Sequence, residues 1–252
     1  MWDKVVAAYF SPTGGTRRAV LALAEAFGAP VEEIDLSTPE GKNYELGREI
    51  VIVAAPVFGG RVPEVMLQRL QRLQGENTSA VTLAVYGNRA YEDALLELND
   101  RLGERHFRVI ASAAVVAQHS ILPELAAGRP DEEDCEELSA FAARVRDKTV
   151  RGDTTPCEVP GNRPYRAWSP SPIVPEADER CVRCGRCARA CPTEAIDPKR
   201  PERTNSGRCM RCMRCVANCP TGARNLPPQM REGLRQKLGA FLEVRQKNEF
   251  FL

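Results

Sequence analysis

CVRCGRCARACP at positions 181–192 is followed, after a short spacer, by CMRCMRCVANCP at 209–220. Both strings read C-x2-C-x2-C-x3-C-P, so the segment is an internal repeat and takes eight of the ten cysteines of the chain. Three cysteines two residues apart can wrap a tight loop around three irons of a four-iron cube. The fourth, followed by proline, leaves in a new direction. A zinc ribbon is the first alternative, but a tetrahedral ion needs four ligands and leaves the third and fourth cysteine of each run without a task. A disulfide framework suits a small secreted domain, not a 252-residue chain with its cysteines packed into one segment.

The segment from about 176 to 226 resembles a bacterial-type dicluster ferredoxin domain, built from a duplicated unit. In that family the fourth cysteine of each run ligates the other cluster. The resemblance therefore implies two [4Fe–4S] clusters, one on Cys181, Cys184, Cys187 and Cys219, the other on Cys209, Cys212, Cys215 and Cys191. Between 176 and 226 stand eleven Lys and Arg against six Asp and Glu, a formal charge of +5. Arg183, Arg186, Arg189, Arg208, Arg211 and Arg214 interleave with the ligands. These arginines either offset cluster charge, or raise reduction potentials, or mark a dock for an acidic partner.

Working outward, 252 residues are comfortable for two domains. Hydrophobic content of 43% and charged content of 27% are those of a globular protein. The net charge of +1 gives no reason to expect nucleic acid or an anionic membrane surface as partner. No apolar run approaches the ~20 residues of a membrane span, and MWDKVVAAYF at the N-terminus is too short in its apolar part for a signal peptide. Free thiolates predict a reducing, cytoplasmic compartment. Cys135 and Cys157 are given no role.

Residues 4–10 form a β-branched and aromatic run that meets Ser11-Pro12-Thr13-Gly14-Gly15-Thr16, and a helical spacing follows at Val20, Leu21, Ala24 and Phe27. Backbone N–H groups at such a helix start form an anion site, although an ordinary strand-to-helix turn has the same outline. It is neither a Walker loop nor G-x-G-x-x-G. Further strands are expected over 31–36, 49–55, 80–85 and 107–116; IVIVAAP at 50–56 is apolar throughout, as for a strand buried on both faces. Helices are expected through Val65, Met66, Leu70 and Leu73, over about 92–102, and from the capping Asp131 with Leu138, Phe141, Ala142 and Val145 on one face. Five strands alternating with helices predict an α/β fold, a doubly wound five-stranded parallel sheet.

Residues 1–150 are similar to flavodoxins, on the strength of Ser11-x-Thr13-Gly14-x-Thr16 and of two further loops, 56–63 and 86–91, at strand ends. In that order of strands the ligand sits at the switch point between the first and third. The resemblance implies FMN, with Ser11, Thr13, Gly14, Gly15 and Thr16 on its phosphate. Pro56, Val57, Phe58, Gly59, Gly60 and Arg61 would lie along the pyrimidine side, with Gly59 or Gly60 near N5. Tyr86, Gly87, Asn88, Arg89 and Tyr91 would close the other side. Phe58, Tyr86 and Tyr91 are candidate stacking rings, and Gln118-His119-Ser120 is a polar cluster at the same edge.

Residues 151–175 carry six prolines and read as a stiff linker whose Tyr165 and Trp168 dock on a domain. The ferredoxin domain spans 176–228. In 229–252, Met230, Leu234, Leu238, Phe241 and Leu242 form a helical stripe ahead of an apolar tail, expected to pack back on the chain. As a whole, the chain resembles the flavodoxin–ferredoxin fusion proteins of anaerobic metabolism. That resemblance implies an electron carrier passing electrons between FMN, two clusters and a redox partner protein. Two other functions stay open: a ferredoxin-fed flavin reductase acting on a small substrate, and a redox sensor. The oligomeric state stays open too.

Overall fold

β1 (Val5–Tyr9) is buried along its whole length and runs into the glycine turn that opens α1 (Gly15–Glu25). β2 (Val31–Asp35), the short β3 (Tyr44–Leu46) and the fully buried β4 (Ile50–Pro56) follow, then α2 (Glu64–Leu70), β5 (Leu73–Gly75) and β6 (Thr78–Tyr86). α3 (Ala94–Gly103), β7 (Phe107–Val116) and α4 (Glu132–Val150) complete the α/β part. β8 (Glu176–Ala177), α5 (Arg186–Ala190), α6 (Arg214–Ala217) and β9 (Arg224–Asn225) form the cysteine module. α7 (Pro228–Leu238), one 3-10 turn and β10 (Glu249–Phe251) come last. The computed structural model describes residues 2–169 and 171–252; Pro170, one of the linker prolines, lies outside them.

The main sheet has the order β2-β1-β4-β6-β7-β10. The first five strands are parallel, with Val5 opposite Val31 on one side and Ile50 on the other. After β2 the chain crosses to the far side of β1, which puts the switch point between β1 and β4. Alternate residues of each strand feed two cores: Val6, Ala8 and Phe10 face α2 and α3, whereas Val5, Ala7 and Tyr9 face α1 and α4. This is the doubly wound, flavodoxin-like sheet expected from the alternation of strands and helices.

Two features differ from the expectation. The sheet has a sixth strand, because the apolar tail pairs antiparallel with β7, Phe250 opposite Ala113. Residues 245–248 lock this return: Arg245 pairs with Asp131, and Asn248 bonds Val116 N, Asp134 and Glu137. Leu73 does not continue α2. It opens β5, which pairs with β3, because Arg72 is drawn to the carbonyls of Thr38 and Glu40 and its own carbonyl accepts Tyr44 N.

In the cysteine module the duplication is visible in the backbone. Arg183 and Arg211, at matching positions, have φ of 51° and 59°, and Gly185 and Met213 have φ of 71° and 62°. α5 packs on α6, and β8 pairs with β9. Leu234, Leu238, Phe241 and Leu242 pack on Leu122 and Leu125, in the segment after β7. Among the described residues no helix is long and apolar enough to cross a membrane.

Candidate functional site: a sheet-edge cavity walled by a cysteine loop

The segments that follow β1, β4, β6 and β7 meet at one edge of the sheet and enclose a cavity of about 350 Å³, within the range of small-molecule sites. Thr13, Gly15 and Thr16 line its α1 end. Gly14 takes φ 94° as the N-cap of α1 and has no side chain to cap it, and the first turn holds no acidic residue. No acidic side chain of the first turn therefore offsets the positive end of the helix dipole, which lies at the cavity's edge with Gly15 and Thr16. A Cβ on Gly15 would stand 3.3 Å from Ala117 Cβ, so the turn lies close against the end of β7. Ser11 is turned to other work: its Oγ accepts Arg17 N at 2.9 Å, and its own N–H donates to Ser37 Oγ.

Pro56, Val57, Phe58 and Gly59 form one flank, and Tyr86, Gly87 and Arg89 the other. The structure does not bring Gly60, Arg61, Asn88 or Tyr91 to the cavity. Gly60 sits against the Glu92 carboxylate. Arg61 turns away to Glu97, which accepts its Nε and Nη2 at 2.9 and 2.6 Å. Asn88 is 2% exposed; it donates to the carbonyls of Phe241 and Val244 and accepts Gln246 N, so the returning C-terminal segment consumes it. Tyr91 tilts against Tyr86, with centroids 5.5 Å apart, and donates to Glu249. Burial, helped by the Glu249 carboxylate, pushes the Tyr86 phenol up to about 12.

His119 lies in the wall, close enough to Gly87 that a Cβ there would come within 2.5 Å of its ring. Its Nδ1 accepts the N–H groups of Ile121 and Leu122 at 3.2 and 3.1 Å. Burial pushes its pKa down to about 4, so the ring is neutral with its proton on Nε2.

The remaining wall comes from beyond residue 150. Trp168 lies so close over Gly59 that a Cβ there would land in the indole. The linker is strapped to α3 and the loop before it. Asp93 accepts Asn162 N and Arg166 N, Asp100 pairs with Arg163 and Tyr165, and Arg61 donates to Arg166 O under the Tyr165 ring. Met210, Arg211 and Cys212 close the cavity on the module side. Arg69 on α2 donates to Leu36 O and to the carbonyl of Pro192, directly after Cys191, and so fixes the module to the α/β domain.

Cys212 and Cys215 are buried with Cys187, whereas Cys184 is exposed. The Cys212 thiol is raised to about 12, first by burial and then by the negative charges of Cys215, Cys191 and Cys209. Cys191 acts on Cys209 and Cys215 in the same sense. Cys219 Sγ lies 3.7 Å from Thr221 Oγ1. Among the described residues no three His, Cys, Asp or Glu side chains converge on a single ion; in a cube each cysteine has its own iron, so its thiolates stand apart.

Arg224 supplies a test of fit. It is 1% exposed, its Nη1 comes within 3.9 Å of Cys187 Sγ, and its other N–H groups reach Pro175 O, Pro201 O and Thr204. Its buried Nε has no partner. A buried guanidinium left one acceptor short beside cysteine sulfur fits a sulfide-bearing cluster in the same space. Sequence reading gave no reason to single out Arg69 or Arg224, since an arginine is exposed by default.

Residues 180–224 match the 4Fe-4S dicluster domain family. No curated protein matches the chain. Among solved structures, flavodoxin 2 from Bacillus cereus overlaps with TM-score 0.44 and 19% identity, covering 57% of this chain and 99% of its own. Flavodoxin 1 from the same organism gives 0.41 and 19%, over 57% of this chain and 97% of its own. The rubredoxin oxygen:oxidoreductase of Desulfovibrio gigas gives 0.42 and 16% over 60% of this chain, which spans only 37% of that protein. The fold assignment rests on strand order and crossover, not on these overlaps. In this chain a flavodoxin-like α/β domain is joined to a 4Fe-4S dicluster ferredoxin domain.

Proposed function

We propose that the chain is an electron-transfer flavo-iron–sulfur protein that holds FMN in the sheet-edge cavity and two [4Fe–4S] clusters in the cysteine module, and that it works with a redox partner protein. The observation that carries this reading is the shared wall: Cys212 borders the same cavity as Thr13, Gly15 and Thr16. When bound, a flavin exchanges one or two electrons and each cluster one, so a common wall lets the two currencies be converted within one chain.

The chain's own residues do the holding. Thr13, Gly15 and Thr16 meet the phosphate at the start of α1. Val57, Phe58 and Gly59 on one side, and Tyr86, Gly87 and Arg89 on the other, flank the ring system. Trp168 and Met210 shield it from water. The crossed set, Cys191 with Cys209, Cys212 and Cys215, and Cys219 with Cys181, Cys184 and Cys187, holds the two clusters, with Arg224 neutralising charge between them. In this reading 1–150, 151–175 and 176–228 are flavin domain, strap and cluster domain, and 229–252 is the return to the first.

Anaerobically purified protein should carry one FMN and about eight irons and eight sulfides per chain. After rapid mixing with reductant, flavin and clusters should equilibrate at a rate independent of protein concentration. A rate rising in proportion to concentration, or protein without flavin, overturns the proposal.

A further inference from the structure

We propose that electrons enter or leave the chain at the exposed face of the first cysteine run, 181–189, and that the partner docking there is a protein with an acidic surface. This rests on the electron-transfer reading above.

The two halves of the module share three arginine positions, 180/208, 183/211 and 186/214, but use them differently, and the first half adds Arg189 where the second has Ala217. Arg180 and Arg208, each just before its first cysteine, are both neutralised, by Asp178 at 2.6 Å and Glu194 at 3.0 Å. At the next positions the halves part. Arg211 donates to the carbonyls of Cys209, Ile173 and Ser206, whereas its counterpart Arg183 is 75% exposed with Glu202 no nearer than 3.9 Å. Arg214 reaches Ser37 O on the α/β domain, whereas its counterpart Arg186 is exposed and makes no ion pair among the described residues. Arg189 donates to the carbonyl of Cys184, makes no ion pair among the described residues and is likewise exposed. Offsetting cluster charge is common to both halves and does not account for this difference.

Burial differs at the second cysteine of each run: Cys212, at the cavity, is 8% exposed, while its counterpart Cys184 is exposed and Val182 near it is 65% exposed. The second run thus faces the cavity through Cys212, and the first presents Cys184 to solvent together with the exposed Val182, Arg183, Arg186 and Arg189. Between 179 and 189 the only acidic residue is Glu179. Arginine around a small apolar centre is the composition of a protein–protein contact, and its charge steers an acidic partner.

The test uses the holoprotein, reduced anaerobically and mixed with two protein oxidants of opposite charge: plastocyanin, which is acidic, and cytochrome c, which is basic. At low salt the plastocyanin reaction should be fast and should slow about 10-fold or more as the Debye length shrinks from about 30 to about 8 Å. Arg183→Glu with Arg186→Glu should slow plastocyanin about 10-fold and speed cytochrome c. A change of cluster potential would move both rates in the same direction, so opposite movement marks docking. Arg183→Gln with Arg186→Gln should give intermediate rates, and decides the matter if the Glu variant fails to hold iron. With iron and flavin content unchanged, equal shifts for both oxidants, or none, overturn the proposal and leave the electron-transfer reading standing. Wild-type protein without iron overturns that reading and this one together.

Discussion

Glu97→Gln removes one negative charge from the core while keeping the outline of the side chain. Glu97 is fully buried on α3 and accepts three N–H groups: Arg61 Nε, Arg61 Nη2 and Val62 N, the last at 3.0 Å. Arg61 passes the constraint on, donating to Arg166 O at 2.7 Å and lying 5.0 Å from the centre of the Tyr165 ring. The hydrogen bonds it donates to Glu97 hold the Arg61 guanidinium above its already high range. Glutamine offers one acceptor oxygen in place of two, so its amide N–H meets another donor and at least one of the three N–H groups is stranded. Breaking a buried pair costs about 3–5 kcal/mol. Arg61 is 25% exposed, so water recovers part of that, and about 3 kcal/mol is expected. At roughly 2–4 °C per kcal/mol, calorimetry should show Tm lower by about 6–12 °C.

A second readout follows the strap. The chain has two tryptophans, and Trp2 is edge-on to Phe27, at the end of β1 away from the cavity. In a Trp2→Phe background, Trp168 emission should shift to the red and become more accessible to acrylamide when Glu97 is replaced. A Tm change under about 2 °C, or a larger one with Trp168 emission unmoved, would refute the chain of support from Glu97 through Arg61 to the cavity wall.

Three other outcomes are expected. Cys219→Ala should reduce iron from about eight to about four and remove the cluster of Cys181, Cys184 and Cys187, as read by paramagnetic resonance of the reduced protein; loss of only the other cluster would overturn the crossed assignment. Thr13→Ala with Thr16→Ala removes two hydroxyl donors to a charged phosphate, each worth roughly 1.5–3 kcal/mol, so FMN affinity measured by titration should fall at least 100-fold. Unchanged affinity would move the phosphate elsewhere. His119 has its folded pKa at about 4 against an ordinary 6.5. Between those values the unfolded chain binds a proton that the folded chain refuses, so stability should fall as pH drops through that window, by no more than about 1.4 kcal/mol per unit. His119→Gln should flatten the slope in denaturant titrations; an unaltered slope would exclude His119 as its source.

What could be read from the sequence was whatever follows from local pattern. IVIVAAP at 50–56 can only be a strand buried on both faces, and Asp131 ahead of three acidic residues announces a helix start. The cysteine runs are legible because ligand spacing is itself local. Thr13, Gly15 and Thr16 could be picked out because a glycine turn between strand and helix exposes N–H groups whatever surrounds it. What was hidden depended on distant partners. Asn88 looks like any polar turn residue until residues 241–246 return to take its carboxamide. Trp168 looks like a docked linker residue, and only the fold shows Gly59 making room for it. β10 is three residues long and exists by virtue of its register with β7. Leu73 keeps helical spacing with Leu70, yet its backbone is claimed by β3.

The pairing of Phe250 with Ala113 has one more effect. The linker holds to the α/β domain as far as Arg166, and the chain is back on that domain from Leu234 to Phe251, so the cysteine module is an excursion anchored at both ends. The entropy of closing so long a loop is modest, rising by only about 0.6 kcal/mol with each doubling of length. The restriction on movement is greater than that small cost suggests. A module tied at one end can swing on its hinge or trade places with that of a neighbouring molecule, the usual route to domain-swapped dimers. Here either movement first requires β10 to peel from β7, which means that the edge of the sheet acts as the latch of the module.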